Sequence, residues 1–240
     1  QIASLPSVHL TNGLYSSPPH RFSAMALIRS VFQDELDNVS QSLVDLTAMV
    51  STSMTKATTA ILSCDLKLAE EVIATDVKID DYQHETDSRI IDIIARQQPV
   101  ASDLRALVTA LRMGSDLERM GDLAHHVAKV ARLRHPNAAV PPELVAIIQA
   151  MGVTAVAITE KTGVVIATRN TQMALEVERD DDVMDDLHRK LIAVLIEPTW
   201  KHGIETAIDL TLLGRYYERY ADHAVSISRR VYFLVTGTYA

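Results

Sequence analysis

Apolar residues recur along this chain at alternating steps of four and three. Phe32, Leu36, Val39, Leu43, Leu46 and Val50 trace one such row, the seam of a helix packed against near-parallel neighbours. The pattern predicts a first helix ending near Ser63 and a second from Leu66 to Gln97. Pro99 stops the second, because proline supplies no donor and drives the residue before it out of the helical region. Ser102 is placed to cap a third helix, Asp103 to Arg134. Three prolines between His135 and Pro142 mark the clearest linker. Three more helices are expected over Glu143–Arg169, Gln172–Ile196 and Ile204–Thr236, with Glu197 to Gly203 separating the last two.

The second three helices repeat the first three. A shift of 105 lays Val39 on Leu144, Leu43 on Ile148, Leu46 on Met151, Val50 on Ala155 and Ile61 on Ile166. The same shift lays Ala69, Asp76 and Asp80 on Ala174, Asp181 and Asp185. A shift of 100 lays Gly114, Glu118, Arg119, Asp122 and Ala124 on Gly214, Glu218, Arg219, Asp222 and Ala224. Apolar matches alone could follow from a shared period, but identical charged residues in one register point to internal duplication. The expected fold is all-α, two tandem three-helix bundles, with repeats over 25–134 and 138–240. Residues 1–24 read as a disordered extension or a remnant of expression, with Met25 the expected native start.

Composition narrows the function. A net charge of −8 excludes a phosphate-backbone binder, which needs a basic face, and suits cations or basic partner surfaces. The single cysteine, Cys64, cannot staple the fold. The cytoplasm is therefore the expected compartment, and a buried small hydrophobe is its expected role. Residues 1–24 hold three prolines and no continuous apolar stretch, unlike a secretory signal. The uncharged run Leu144–Thr159 is interrupted by Gln149 and Gly152 and is too short to span a bilayer. Membrane association is expected only through a partner.

The candidate chemistry lies in acidic pairs that the repeat preserves at a spacing of four: Asp76/Asp80, Glu118/Asp122, Asp181/Asp185 and Glu218/Asp222. Residues so spaced share a helix face, and like charges there repel. A cation between them would turn repulsion into coordination. Oxygen ligands suit hard ions, magnesium, manganese, calcium or iron, better than a structural zinc, and paired helices with inward carboxylates are known to hold metals in bundles. The expected cofactor is a divalent or trivalent metal ion: iron, manganese, magnesium or zinc.

Other acidic pairs, Glu178/Asp182 and Glu205/Asp209, lack repeat partners and read as solvated faces. Arg119 and Arg219 either orient the neighbouring glutamates or balance surface charge; both readings stay open. Tyr216, Tyr217 and Tyr220 are expected to pack between the repeats. His125 and His126 follow Asp122, but their counterparts are Val225 and Ser226, and His84 and His188 fall out of register. None of the four enters the expected ligand set. There is no Gly-rich phosphate loop, Cys-x-x-Cys, nucleophile elbow or His-Glu-x-x-His, so an enzyme is not expected.

Two stretches carry a family resemblance. They are Arg96-Gln97-Gln98-Pro99-Val100-Ala101-Ser102-Asp103-Leu104-Arg105 and Asp116-Leu117-Glu118-Arg119-Met120-Gly121-Asp122-Leu123-Ala124. Both resemble the first-repeat junction and Glu/Asp-x-x-x-Asp signature of the PhoU family, regulators of bacterial phosphate uptake and signalling. The likeness spans about Met25 to Thr236. The run from Leu213 to Ala224, with its Tyr216-Tyr217-Glu218-Arg219-Tyr220 centre, is similar to actinobacterial members.

The resemblance implies a cytoplasmic negative regulator of the phosphate-starvation response. It would couple the ATPase of a phosphate ABC importer to a sensor histidine kinase, bind metal at the acidic pairs and act as a homodimer. The chain departs from the family at its second junction, Ile196 to Ile204, which lacks the Gln-Pro-Val-Ala run. Partner contacts made by such a junction would belong to the first repeat. The alternatives are a carboxylate-bridged di-metal bundle enzyme and a scaffold whose acidic pairs bind nothing.

Overall fold

A computed structural model describes residues 20–238, with side chains from residue 29 onward. Six helices fill it: α1 (His20–Ser63), α2 (Leu66–Gln97), α3 (Ala101–Arg134), α4 (Val145–Thr168), α5 (Thr171–Leu195) and α6 (Gly203–Thr236). A short 3-10 turn at Pro142–Leu144 leads into α4. The first helix starts at His20, five residues ahead of the Met25 at which the sequence reading begins the repeat. Of the extension expected over residues 1–24, 20–24 belong to this helix, and 1–19 lie outside the described residues.

The duplication is visible in the joints. Cys64 and Arg169, one shift of 105 apart, both take the left-handed conformation (φ 56° and 53°) that turns the chain out of α1 and α4. Asp65 and Asn170 follow, and each side chain accepts a hydrogen bond from the amide three residues on, at 3.0 Å. This supplies the acceptor that an orphan amide in a first helical turn requires. Cys64 is half-buried at this turn rather than in the core. The second joint differs between halves. Gln98 is left-handed and α3 begins behind Val100, with no side-chain cap. Ser102 does not cap it; its hydroxyl instead donates to the Asp103 carboxylate at 3.4 Å.

Each repeat is an antiparallel three-helix bundle, α1–α2–α3 and α4–α5–α6, and the bundles meet side by side through α1 against α4 and α3 against α6. This fold is the one the duplicated register predicts. Leu43, Leu46 and Val50 are fully buried, as are their counterparts Ile148, Met151 and Ala155.

The seam between bundles is built on a reciprocal exchange. Thr58 of α1 sits on Gly152 of α4, and Thr47 of α1 sits on Gly163 of α4; the shift of 105 converts each pair into the other. A Cβ on Gly152 would fall 2.7 Å from Thr58 Oγ1, so the glycine sets how closely α1 and α4 approach. Thr58 also hydrogen-bonds the Tyr217 hydroxyl at 2.8 Å, tying α1 to α6. Tyr217 and Tyr220 are wholly buried, and Tyr216 stacks on His126 across the seam at 5.2 Å between centroids. Tyr216 and Tyr217 do pack between the repeats, on His126 and Thr58 of the first bundle.

Pro142–Thr168 is long and apolar enough to cross a membrane by length and composition, with mean hydropathy 1.6. That exceeds what the sequence reading allowed it. Within this fold α4 is a central helix, packed on α1, α5 and α6 at once. Those contacts bury three sides of the helix, and the remaining stripe, with Val153 and Val164, is exposed.

Candidate carboxylate clusters

The acidic pairs come together two by two. Asp76 and Asp80 lie on α2 and Glu118 and Asp122 on α3, and their charges act on one another. Burial, followed by the charges of Asp76 and Asp122, raises the Asp80 carboxyl above its ordinary value. Burial and then Asp122, with smaller contributions from Asp80 and Asp76, do the same to Glu118. In the second bundle Asp181 and Asp185 lie on α5 and Glu218 and Asp222 on α6. There burial, then Asp185, Asp222 and Glu218, push Asp181 up to about 6.

Three carboxylate oxygens of these groups, Oδ1 of Asp76, Asp80 and Asp181, are buried without a hydrogen-bond partner. A buried polar atom with no partner calls for water or an ion. The groups around them are partly engaged. Arg119 donates to Asp122 at 2.7 Å and lies 3.6 Å from Glu118, so in the first bundle it orients the pair. Its counterpart Arg219 forms no hydrogen bond or ion pair among the described residues, and Arg215 holds Glu218 in its place. As the side chains stand, no three Asp, Glu, His or Cys groups among the described residues converge closely enough to hold an ion. The donor set and the unpartnered oxygens fit a hard cation, and seating one would require Asp122 and Glu218 to turn from their arginines.

Sequence reasoning left out one residue that belongs here. His125 places Nδ1 against Asp76 Oδ2, with Nε2 buried and unpartnered. The approach is possible because Gly121 lets α2 come close: a Cβ there would lie 3.0 Å from Ile79 and 3.7 Å from Asp76. The only signal in the sequence was that small residue one turn before the histidine. Val225 stands at the matching position, so the two clusters differ. His126 turns to the seam instead, where burial lowers its basicity. His84 is exposed and His188 packs against Gly214.

Asp209 corrects another expectation. It is buried, not solvated, and Arg134 of α3 holds it together with Glu205. Glu178 pairs with Arg229 at the surface, as a solvated face allows.

Fold and site together define a duplicated helical bundle that carries one carboxylate cluster on each half. The PhoU domain family model matches residues 43–131 and 148–231, once in each repeat. Among curated relatives, the phosphate-specific transport system accessory protein PhoU homolog 2 of Mycobacterium tuberculosis is 42% identical over 88% of this chain and 100% of its own length. The PhoU homolog 1 of Mycobacterium leprae is 41% identical over 88% of this chain and 96% of its own. The crystal structure of PhoU from Pseudomonas aeruginosa superposes with a TM-score of 0.78 at 28% identity, covering 86% of this chain and all of that one. The phosphate transport system regulatory protein PhoU from Streptococcus pneumoniae gives 0.78 at 26%, covering 87% and 99%. The chain belongs to the PhoU family.

Proposed function

We propose that this chain is a non-enzymatic accessory protein of a phosphate-specific transport system, acting in the cytoplasm as a negative regulator of the phosphate-starvation response. It reaches the membrane through its partners, the ATPase subunit of the importer and a sensor histidine kinase, which it holds in the non-signalling state when phosphate is plentiful. The observation that carries this reading is the likeness, over the whole length of the relative, to a mycobacterial phosphate-transport accessory protein. The clefts agree with a docking role. A groove of about 620 Å³ between α1 and α4 is lined by threonines, valines and Gly152, with Glu160 its one titratable group, which offers no convergent acid and base for catalysis.

Metal belongs to the same proposal. Asp76, Asp80, Glu118 and Asp122 would hold ions in the first bundle, and Asp181, Asp185, Glu218 and Asp222 in the second. A bound cation would supply charge neutralisation, removing the repulsion that adds to burial in raising Asp80, Glu118 and Asp181. The regulatory reading is tested by starvation-gene expression in a deletion strain grown at high phosphate. The genes should be switched on. Normal repression, with no second copy of the gene to compensate, overturns the assignment.

A further inference from the structure

The α3/α6 seam is antiparallel, so its two ends are related by the duplication and can be compared position by position. At one end, where α3 finishes and α6 begins, Arg134 reaches across to Asp209 and Glu205 and closes the groove with an internal ion pair. At the other end, where α3 begins and α6 finishes, the signs are reversed. Arg105 stands where the other half has Glu205, Thr109 where it has Asp209, Arg230 where it has Val130, and Leu234 where it has Arg134. No carboxylate answers Arg105 or Arg112 among the described residues. Arg230 is held by Asp116, which also binds His223 and Ser226.

Arg105, Thr109, Arg112 and Arg230 line one groove of about 350 Å³ together with Leu104, Val108 and Phe233. Leu104 and Val108 are exposed, and the Arg105 guanidinium lies over the Phe233 ring at 5.7 Å. Thr109 supplies a further sign. Its hydroxyl faces the groove and forms no hydrogen bond among the described residues. In a chain of net charge −8, this is a cationic groove with an apolar floor and unanswered donors.

We infer that this groove receives an acidic, apolar-faced segment of a protein partner. The partner's carboxylates stand where Glu205 and Asp209 stand at the other end of the seam, taken by Arg105 and Arg112, and its apolar side chains seat on Leu104, Val108 and Phe233. Arginine forks are suited to carboxylates at an interface, and an amphipathic helix laid on an apolar groove is an established mode of recognition. The inference deepens the docking role proposed above by naming the surface and the chemistry of what it takes.

The test is photo-crosslinking in cells from a benzoyl-phenylalanine placed at Val108 of the full chain, with mass-spectrometric identification of the attached peptide. The expected product is a segment of another protein in which Asp or Glu alternates with large apolar residues at helical spacing. Its yield should fall by roughly tenfold or more when R105E and R112E are added, and should hold with R132E, an exposed arginine at the far end of α3. Arg105 and Arg112 form no ion pair among the described residues, and the Arg105 contact with Phe233 is at the surface, so the fold, checked by thermal melting, should be kept. A basic segment, a second copy of this chain, no product, or a product indifferent to R105E/R112E overturns the surface. An acidic, apolar segment from a protein unrelated to phosphate transport or its signalling leaves the surface standing and removes the regulatory reading instead.

Discussion

Two aspartates show how position decides what a carboxylate does for stability. Burial raises Asp116, but hydrogen bonds from His223 and Arg230 and their charges outweigh it, and its carboxyl ends below the ordinary value. A depressed folded value contributes stability that is complete above the unfolded value, about 3.9, and is lost as pH falls through the folded one. Asp116→Asn should therefore cost about 2 kcal/mol near neutrality, a drop of roughly 4–8 °C in melting temperature, and the gap to wild type should narrow below about pH 4. Asp87 runs the other way. Burial raises it against the weaker help of Gln83, and its Oδ1 is buried without a partner. With the folded value raised, its ionised form is a liability at neutral pH that protonation relieves. Asp87→Asn should raise melting by about 1–2 °C after solvent screening, and that gain should fade in acid. Equal melting of wild type and variant at pH 7 would sink the argument.

At the scale of elements, the reciprocal Thr–Gly seam can be tested by asking which effect of an added methyl wins. Alanine in place of a helical glycine gains about 1 kcal/mol of intrinsic preference. At Gly163 the added Cβ meets Thr47 at 3.3 Å, a contact small shifts absorb, so Gly163→Ala should be neutral or mildly stabilising. At Gly152 the methyl runs into the Thr58 side chain, which is itself buried and bonded to Tyr217. Overpacking of this kind costs about 1–3 kcal/mol, enough to overcome the helix gain, and Gly152→Ala should lower melting. Identical shifts for the two would refute the seam.

The helices and their duplication were legible because period and repeated charge are local signals. The acidic pairs were legible for the same reason. His125 against Asp76, Asp116 beneath Arg230 and Asp209 under Arg134 were not, since partners 49, 114 and 75 residues away are joined only by the fold. The α3 start was misread because Gln98 turns left-handed and lets the chain enter the helix behind Val100 without using the serine.

For the whole molecule, the clusters are placed so that an ion bound there would act within a bundle rather than between bundles. Each lies across an outer helix and its partner, α2 with α3 and α5 with α6, while the seam is made by α1 with α4 and α3 with α6. Metal should then stabilise each half without being needed to join them. An ion that binds only the native chain at about one hundred times its dissociation constant adds about 2.7 kcal/mol per site, or roughly 5–10 °C in a protein of this size. Asp122→Asn with Asp222→Asn should remove that gain. In metal-free buffer the same pair of substitutions removes a like charge from each cluster, so melting should hold or rise slightly. This opposite response separates ligand loss from simple damage. The measurement is thermal melting of wild type and double variant, with and without manganese, magnesium, iron or zinc, alongside elemental analysis of the purified chain. No bound metal and no metal-dependent shift in the wild type would reduce the clusters to surface charge and leave the bundle fold as it is.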